Sequence, residues 1–125
     1  MVRPAEPQRA LVVDDVELER ERIGGILRDA GWEVGTAGSG IEAIERARAE
    51  RPNIIFMDIV MPGMDGFEAC RQLARDPSTR SIPVVFVSTK SQRADQLWAR
   101  MQGGKDLIGK PYTASQLLDA LKHAV

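Results

Sequence analysis

Short, continuously apolar segments alternate along the chain with longer segments in which apolar residues recur every three or four positions. The first pattern is typical of strands buried on both faces, and the second of amphipathic helices. Together they predict five strands and five helices in alternation, preceded by a short N-terminal tail over residues 1–9. The strands are predicted at Ala10–Asp14, Glu33–Ala37, Asn53–Asp58, Pro83–Ser88 and Asp106–Gly109.

The fourth predicted helix carries an apolar stripe that affects how its tryptophan is interpreted. Ala94, Leu97, Trp98 and Met101 recur at the spacing of one helix face. Such a stripe normally faces the core of the protein, so we expect Trp98 to pack against the sheet rather than contact a partner.

The order of the strands follows from their composition. The segments LVV, IIFM and VVFV are continuously apolar and are predicted to be central, whereas EVGTAG and DLIG are weaker and suit the edges of the sheet. Strands that alternate with helices are joined by right-handed crossovers and form a parallel sheet. The prediction is an α/β, flavodoxin-like (βα)5 fold, with a doubly wound five-stranded parallel sheet in the order 2-1-3-4-5.

Composition restricts the function classes without choosing among them. The 125 residues fit one domain, and 17 basic residues balance 18 acidic ones, so no basic surface for nucleic acid is indicated. A single cysteine excludes an internal disulfide framework. No apolar signal or membrane-spanning segment is present in the sequence, and we expect a cytoplasmic protein that contacts neither nucleic acid nor membrane.

Chemically distinctive residues stand at the ends of the predicted strands. Asp14 and Asp15 end the first strand, Asp58 the third, Ser88 the fourth, and Lys110 follows the fifth. In the proposed strand order these ends meet at one edge of the sheet, where doubly wound folds bind their ligands. Three carboxylates close together repel one another unless a cation neutralises them. Mg²⁺ suits such oxygen ligands best, because it binds one or two carboxylates and favours phosphate oxygens.

A carboxylate beside a metal, a hydroxyl and a lysine is an arrangement suited to phosphoryl transfer. Asp58 would attack phosphorus, the metal and Lys110 would offset the charge on the phosphoryl oxygens, and the Ser88 hydroxyl would bind one of them. The expected product is an aspartyl phosphate.

Four motifs carry a resemblance to a known family. In their order and spacing, the sequence resembles a response-regulator receiver domain, the phosphorylatable half of two-component signalling, from Arg9 to Val125. The motifs are VVDD (Val12–Asp15), MDIVMPGMDG (Met57–Gly66), VVFVST (Val84–Thr89) and GKP (Gly109–Pro111).

The resemblance implies a role for each site residue. It makes Asp58 the phosphoacceptor, and it assigns Mg²⁺ binding to Asp14 and Asp15 together with Asp58 and the backbone carbonyl of Ile59. It makes Ser88 the switch hydroxyl and Lys110 the phosphate-binding lysine, and it implies a cis peptide bond before Pro111.

The resemblance also implies partners. A single receiver domain over residues 10–125, with no output domain, resembles the single-domain chemotaxis-type regulators. The segment from Ser88 to Leu121 is also similar to receivers of the type IV pilus twitching-motility systems. A sensor histidine kinase is the expected phosphodonor, and a downstream protein is expected to bind helix 4, strand 5 and helix 5. The protein is expected to be a monomer or weak dimer, and not an enzyme beyond its own phosphorylation and slow dephosphorylation.

Three positions depart from the common receiver pattern. Leu107 stands three residues before the lysine, where many receivers have an aromatic residue that turns inward on phosphorylation. Val60 and Lys90 occupy the positions that flank the water attacking the phosphoryl group. Because an apolar side chain at Val60 cannot orient this water, we expect slow self-dephosphorylation.

Two other functions fit the sequence less well. Residues Gly38–Ala43 match the dinucleotide-binding pattern G-x-G-x-x-A, but they follow a strand predicted at the sheet edge. An aspartate-nucleophile phosphatase would need an acid two residues after Asp58, where Val60 stands. The alternative left open is a receiver-fold interaction module that works without phosphorylation, or a phosphate sink for another regulator.

Overall fold

The structure is a computed structural model, and it describes residues 8–125. Strands and helices alternate along these residues as predicted. The elements are β1 (Arg9–Val13), α1 (Glu17–Asp29), β2 (Glu33–Ala37), α2 (Gly40–Glu50), β3 (Ile54–Met57), α3 (Gly66–Arg75), β4 (Val84–Ser88), α4 (Arg93–Met101), β5 (Asp106–Gly109) and α5 (Ala114–Ala120), followed by a 3₁₀ turn at Leu121–His123. Most of the predicted N-terminal tail lies outside the described residues, and Arg9, which was assigned to it, is the first residue of β1.

All five strands are parallel and lie in one sheet in the order β2-β1-β3-β4-β5, which confirms the prediction. β2 and β5 have the predicted bounds, whereas β1 and β3 end one residue earlier than expected. Asp14 and Asp58 therefore follow their strands instead of ending them. Their backbone N–H groups still continue the hydrogen-bonding pattern, to the carbonyls of Ala37 (3.2 Å) and Val13 (3.0 Å).

Apolar side chains fill both faces of the sheet, which explains why the central strands are continuously apolar. One cluster joins α1 and α5 to alternate strand residues such as Val12 and Phe56. The other joins α2, α3 and α4 to the intervening strand residues, including Met57 and Phe86. Burial on both faces fixes the three central strands, and their carboxyl ends hold the polar residues in place.

Helix ends show how the sequence sets the length of each element. The Ser39 hydroxyl accepts the N–H of Glu42 at the start of α2 (3.1 Å) and so caps this helix, as serine commonly does. Gly31 follows α1 with φ of +93°, a conformation that side chains disfavour, and this lets the chain turn into β2.

The orientation of α4 differs from the prediction. Only Asp95 and Ala99 of this helix are buried, whereas Leu97 and Met101 are exposed and Trp98 is 54% exposed. The expectation that Trp98 packs against the core is therefore wrong. The helix presents its small Ala99 to the sheet next to Gly104, where an added Cβ would lie only 2.6 Å from the ring of Phe86.

The loop with the dinucleotide-like pattern follows β2, which lies at the edge of the sheet. A dinucleotide site would place this loop after a central strand, so the pattern serves here only to start α2. Across residues 8–125, the structure contains no helix of the length and apolar character that crossing a membrane requires.

Candidate functional site

The backbone places the functional residues of neighbouring strands side by side. Asp14 and Asp58 follow the adjacent strands β1 and β3, and the Asp58 N–H donates to the last residue of β1. Ser88 ends β4, and its carbonyl accepts the N–H of Lys110, which follows β5 (2.9 Å). The predicted convergence at one edge of the sheet is therefore present.

Three carboxylates form a cluster at this edge. Asp14, Asp15 and Asp58 each offer an oxygen, and the three oxygens lie within 4.8 Å of one another. Asp14 is almost fully buried and Asp58 is 8% exposed, whereas Asp15 is open to solvent. A hard divalent cation such as Mg²⁺ binds carboxylate oxygens and keeps several waters, for which the solvent-facing side at Asp15 leaves room. These three residues therefore fit such an ion.

One ammonium group bridges two of the carboxylates. Lys110 Nζ donates to Asp14 Oδ2 at 2.8 Å and to Asp58 Oδ2 at 3.0 Å, and its side chain is only 15% exposed. The bridge offsets the repulsion between the two acids. It also places the positive charge of Lys110 next to Asp58, although the two residues are 52 positions apart in the sequence. The peptide bond between Lys110 and Pro111 is cis, which confirms the expectation.

Burial perturbs the protonation of this ion cluster. Removal from water raises the pKa of Asp14 above its ordinary value, and it outweighs the hydrogen bonds from Lys110 and the Val16 N–H. Burial lowers the pKa of Lys110, but the hydrogen bonds to Asp14 and Asp58 and the negative charges of these two carboxylates together raise it overall. Lys110 is therefore held as a cation.

Asp58 is held by its own loop. Its Oδ1 accepts the backbone N–H groups of Ile59 (2.7 Å) and Val60 (3.3 Å), so Oδ2 is the oxygen that faces Lys110. The first residue of α3, Gly66, packs so closely that a Cβ there would lie 2.1 Å from the Asp58 carbonyl oxygen. The Gly66 N–H donates to the Ile59 carbonyl at 2.8 Å, so the loop itself uses one lone pair of the oxygen for which metal binding was predicted.

Ser88 and Lys90 are linked at the end of β4. Ser88 is fully buried, and its hydroxyl oxygen accepts the N–H of Lys90 at 3.2 Å, which leaves the hydroxyl proton available for donation. Leu107 is buried in β5 opposite Phe86, in the cluster beneath α2, α3 and α4. Val60 is exposed beside Asp58, as an apolar residue at the mouth of the site.

Two residues near the site were not singled out by sequence reasoning. Arg20 donates from Nη1 to the Asp14 carbonyl at 2.7 Å. Glu19 lies 3.8 Å from Lys110 Nζ, and its Oε2 accepts a hydrogen bond from the Tyr112 hydroxyl (3.2 Å). Burial together with this carboxylate raises the pKa of Tyr112 to about 12. Both residues lie in the segment ELERER of α1, whose charge pattern is typical of a solvated helix face. Only their short distance from Asp14 in the sequence could have identified them.

A third such residue is Asp95. It pairs with Lys90 (Nζ to Oδ1, 2.8 Å), and its Oδ2 accepts the N–H of Gln92 at 2.9 Å. The spacing of Gln92 and Asp95, three residues apart at a helix start, is the sequence signal that could have indicated this role.

Comparison with known proteins agrees with this geometry. The family model described as response regulator receiver domain matches residues 10–122. Protein PilH of Pseudomonas aeruginosa is 41% identical over 113 residues, covering 90% of this chain and 93% of PilH. Chemotaxis protein CheY of Listeria monocytogenes is 38% identical over 118 residues, covering 93% of this chain and 97% of CheY.

Solved structures of chemotaxis regulators have the same fold. Chemotaxis protein CheY4 of Vibrio cholerae superposes with a TM-score of 0.89 at 28% identity, covering 96% of this chain and all of that one. These relatives confirm the expected resemblance to chemotaxis-type and pilus-type regulators. The chain therefore belongs to the response regulator receiver domains, which act as phosphoacceptors in two-component signalling.

Proposed function

We propose that Asp58 is the phosphoacceptor of this receiver and that a sensor histidine kinase is its phosphodonor. The observation that carries the proposal is the position of Lys110, whose ammonium bridges Asp58 and Asp14. A carboxylate that is nearly buried, yet paired with a cation and close to two further acids, has the surroundings of a nucleophile for phosphoryl transfer.

In the transfer step, Asp58 Oδ2 forms the new bond to phosphorus. Oδ1 is held by two backbone N–H groups, which orient the carboxylate while Oδ2 reacts. The bond from phosphorus to the donor's histidine nitrogen breaks, and its electron pair leaves with the imidazole. Lys110 moves with the transferred group and offsets the charge on its oxygens. The Ser88 hydroxyl, which retains its proton, donates to one of these oxygens.

Magnesium is the proposed cofactor, bound by Asp14, Asp15 and Asp58. Receiver domains bind Mg²⁺ through acidic residues, and the clustered oxygens of these three provide the donor set that it prefers. When bound, the ion supplies positive charge at the phosphoryl oxygens. Asp15 is exposed and leaves the cluster open on the solvent side. The Ile59 carbonyl stays a predicted ligand, and its hydrogen bond to Gly66 favours the carboxylates as the main ones.

Self-dephosphorylation is proposed to be slow. The water that hydrolyses an aspartyl phosphate needs a polar group to orient it, and Val60 presents only methyl groups at the mouth of the site. Lys90, the other flanking residue, carries an ammonium group, which has no lone pair to accept a proton from the attacking water. The decay of phosphorylated protein, followed by intact mass after removal of donor, should take minutes or longer. A lifetime of seconds would refute this part of the proposal.

Receiver domains interact with histidine kinases and with downstream targets. We propose that the downstream protein binds the surface of α4, β5 and α5, where Leu97, Trp98, Met101 and Leu118 are exposed. The protein itself is proposed to be a monomer or weak dimer, so that this surface is available to the partner.

The deciding experiment is phosphorylation with a small acyl phosphate and Mg²⁺, read by intact mass. Wild type should gain the mass of one phosphoryl group, whereas Asp58→Asn and wild type in EDTA should not. Asp65→Asn is a suitable control, because Asp65 only caps α3. Failure of wild type to gain mass, with a donor shown to phosphorylate another receiver, would leave the interaction module that works without phosphorylation as the better interpretation.

A further inference from the structure

A single ion pair joins the region of the phosphorylation site to α4. Lys90 follows Ser88 by two residues, and its backbone N–H donates to the Ser88 hydroxyl oxygen at 3.2 Å. Its ammonium lies 2.8 Å from Oδ1 of Asp95 in the first turn of α4. The residue therefore has its backbone at the site and its charge on the helix.

Asp95 depends on this partner. Its side chain is only 12% exposed, and its two oxygens are taken by Lys90 and by the N–H of Gln92. These contacts hold the pKa of the Asp95 carboxyl below its ordinary value, chiefly through the hydrogen bond from Lys90. A largely buried carboxylate that loses its cation is unfavourable, so it must rearrange to reach water.

We propose that the ion pair between Lys90 and Asp95 is the switch that transmits phosphorylation to α4. In this switch, which rests on the proposed function, a phosphoryl group on Asp58 draws the Lys90 ammonium away from Asp95. A phosphoryl group carries a charge of about −1.5 to −2, against −1 for a carboxylate, and it offers three oxygens. Lysine can exchange these partners because its charge stands on a flexible four-carbon stem.

When the Lys90 ammonium leaves Asp95, the first turn of α4 is released. Asp95 then turns toward water, and its hydrogen bond to the Gln92 N–H, which starts the helix, is weakened. Trp98 follows Asp95 by one turn and lies on the exposed side of the helix, so the movement changes the surface presented to a partner. This route does not need an aromatic residue at position 107, where the chain has the buried Leu107.

Hydrogen exchange of the backbone amides of residues 92–96, measured by mass spectrometry, tests the inference. Phosphorylation of wild type should speed this exchange roughly three- to tenfold, because opening a helix end takes little free energy. Lys90→Gln should exchange at the fast rate before phosphorylation and show no further change after it. Lys90→Arg, which keeps the charge, and Lys105→Gln, which removes another exposed lysine, should behave as wild type.

Two results would overturn the inference: Lys90→Gln exchanging as slowly as unphosphorylated wild type, or phosphorylation speeding exchange in Lys90→Gln as much as in wild type. Asp95→Asn gives an independent check, since it should also exchange fast from the start. Intact mass of the same samples separates this failure from that of the proposed function, because absence of the phosphoryl mass in wild type refutes Asp58 phosphorylation itself.

Discussion

The ammonium of Lys110 lies 3.0 Å from Oδ2 of Asp58, although 52 residues separate them in sequence. The same ammonium reaches Asp14 at 2.8 Å. One side chain from the end of β5 thus neutralises two acids from the ends of β1 and β3. The site is held together by the attraction between unlike charges and not by the backbone alone.

Lys110→Met should therefore destabilise the protein in the absence of metal. Asp14 and Asp58 would lose two charge-assisted hydrogen bonds, and we expect the free energy of unfolding to fall by about 1–3 kcal/mol. Mg²⁺ should restore part of this loss, because it provides another positive charge between the same acids. Urea unfolding in EDTA and in Mg²⁺ measures both effects.

The control for this comparison is Lys105→Met, which changes an exposed lysine just before β5 and should have the same stability as wild type in both buffers. Equal stability of Lys110→Met and wild type in EDTA would show that the Lys110 bridge contributes nothing to the fold.

Gly66 and Gly25 should respond in opposite ways to replacement by alanine. At Gly66 the new Cβ would lie 2.1 Å from the Asp58 carbonyl oxygen, a backbone atom that cannot move aside without displacing Asp58. We expect Gly66→Ala to cost about 1–3 kcal/mol of unfolding free energy. Gly25 lies within α1, and a Cβ there would meet no atom within 4 Å beyond its neighbours and the backbone of its own helix, so Gly25→Ala should stabilise by roughly 0.5–1 kcal/mol.

Urea unfolding of the two variants side by side decides the matter, and the phosphorylation rate of Gly66→Ala gives a second measurement. If Gly66→Ala is as stable as wild type and is phosphorylated at the same rate, then α3 does not restrain the Asp58 loop as the structure indicates.

Asp76 should make stability depend on acid pH. Its carboxylate accepts the backbone N–H of Ser78 at 2.9 Å and the Arg48 side chain at 2.6 Å, and these contacts lower its pKa from 3.8 to about 2. A carboxyl whose pKa is lower when folded stabilises the fold above the unfolded pKa, and this contribution disappears as pH falls through the folded value. Asp76→Asn should be less stable than wild type at neutral pH, and the difference should shrink between pH 4 and pH 2.

Urea unfolding across that pH range measures the difference. Asp119→Asn is the matched control, because Asp119 is exposed and pairs only with Lys122, three residues later in the adjoining 3₁₀ turn. A difference between Asp76→Asn and wild type that stays constant from pH 7 to pH 2 would contradict the assigned pKa.

The strand order could be predicted because burial on both faces leaves a direct mark in the sequence. The segments LVV, IIFM and VVFV, which contain Val12, Phe56 and Val85, have no polar residue, and they lie in the central strands of the structure. The orientation of α4 could not be predicted in this way. The spacing of apolar residues shows which of them share a helix face, but not how closely the helix approaches the sheet. Here the small Ala99 faces inward while Trp98 remains outside.

At the site, sequence reasoning found the residues that stand at strand ends. Asp14, Asp58 and Lys110 come together as expected, because parallel strands deliver their carboxyl ends to one edge. Glu19 and Asp95 were missed because they lie on helices among other charged residues. Apart from the spacing of Asp95 from Gln92 and of Glu19 from Asp14, nothing in the sequence distinguishes these charges from ones that face solvent.

The exposure of Trp98 predicts a small effect of its removal on stability. Trp98→Ala should change the free energy of unfolding by about 0.5 kcal/mol or less, as exposed positions generally do. A tryptophan packed in the core would cost about 3–5 kcal/mol, and the buried Leu73, used as the control Leu73→Ala, should cost about 2–5 kcal/mol. Urea unfolding followed by circular dichroism avoids the loss of a fluorescent residue. If Trp98→Ala proves as destabilising as Leu73→Ala, α4 packs in solution with the stripe of Leu97, Trp98 and Met101 inward, and the surface proposed for the partner would be absent.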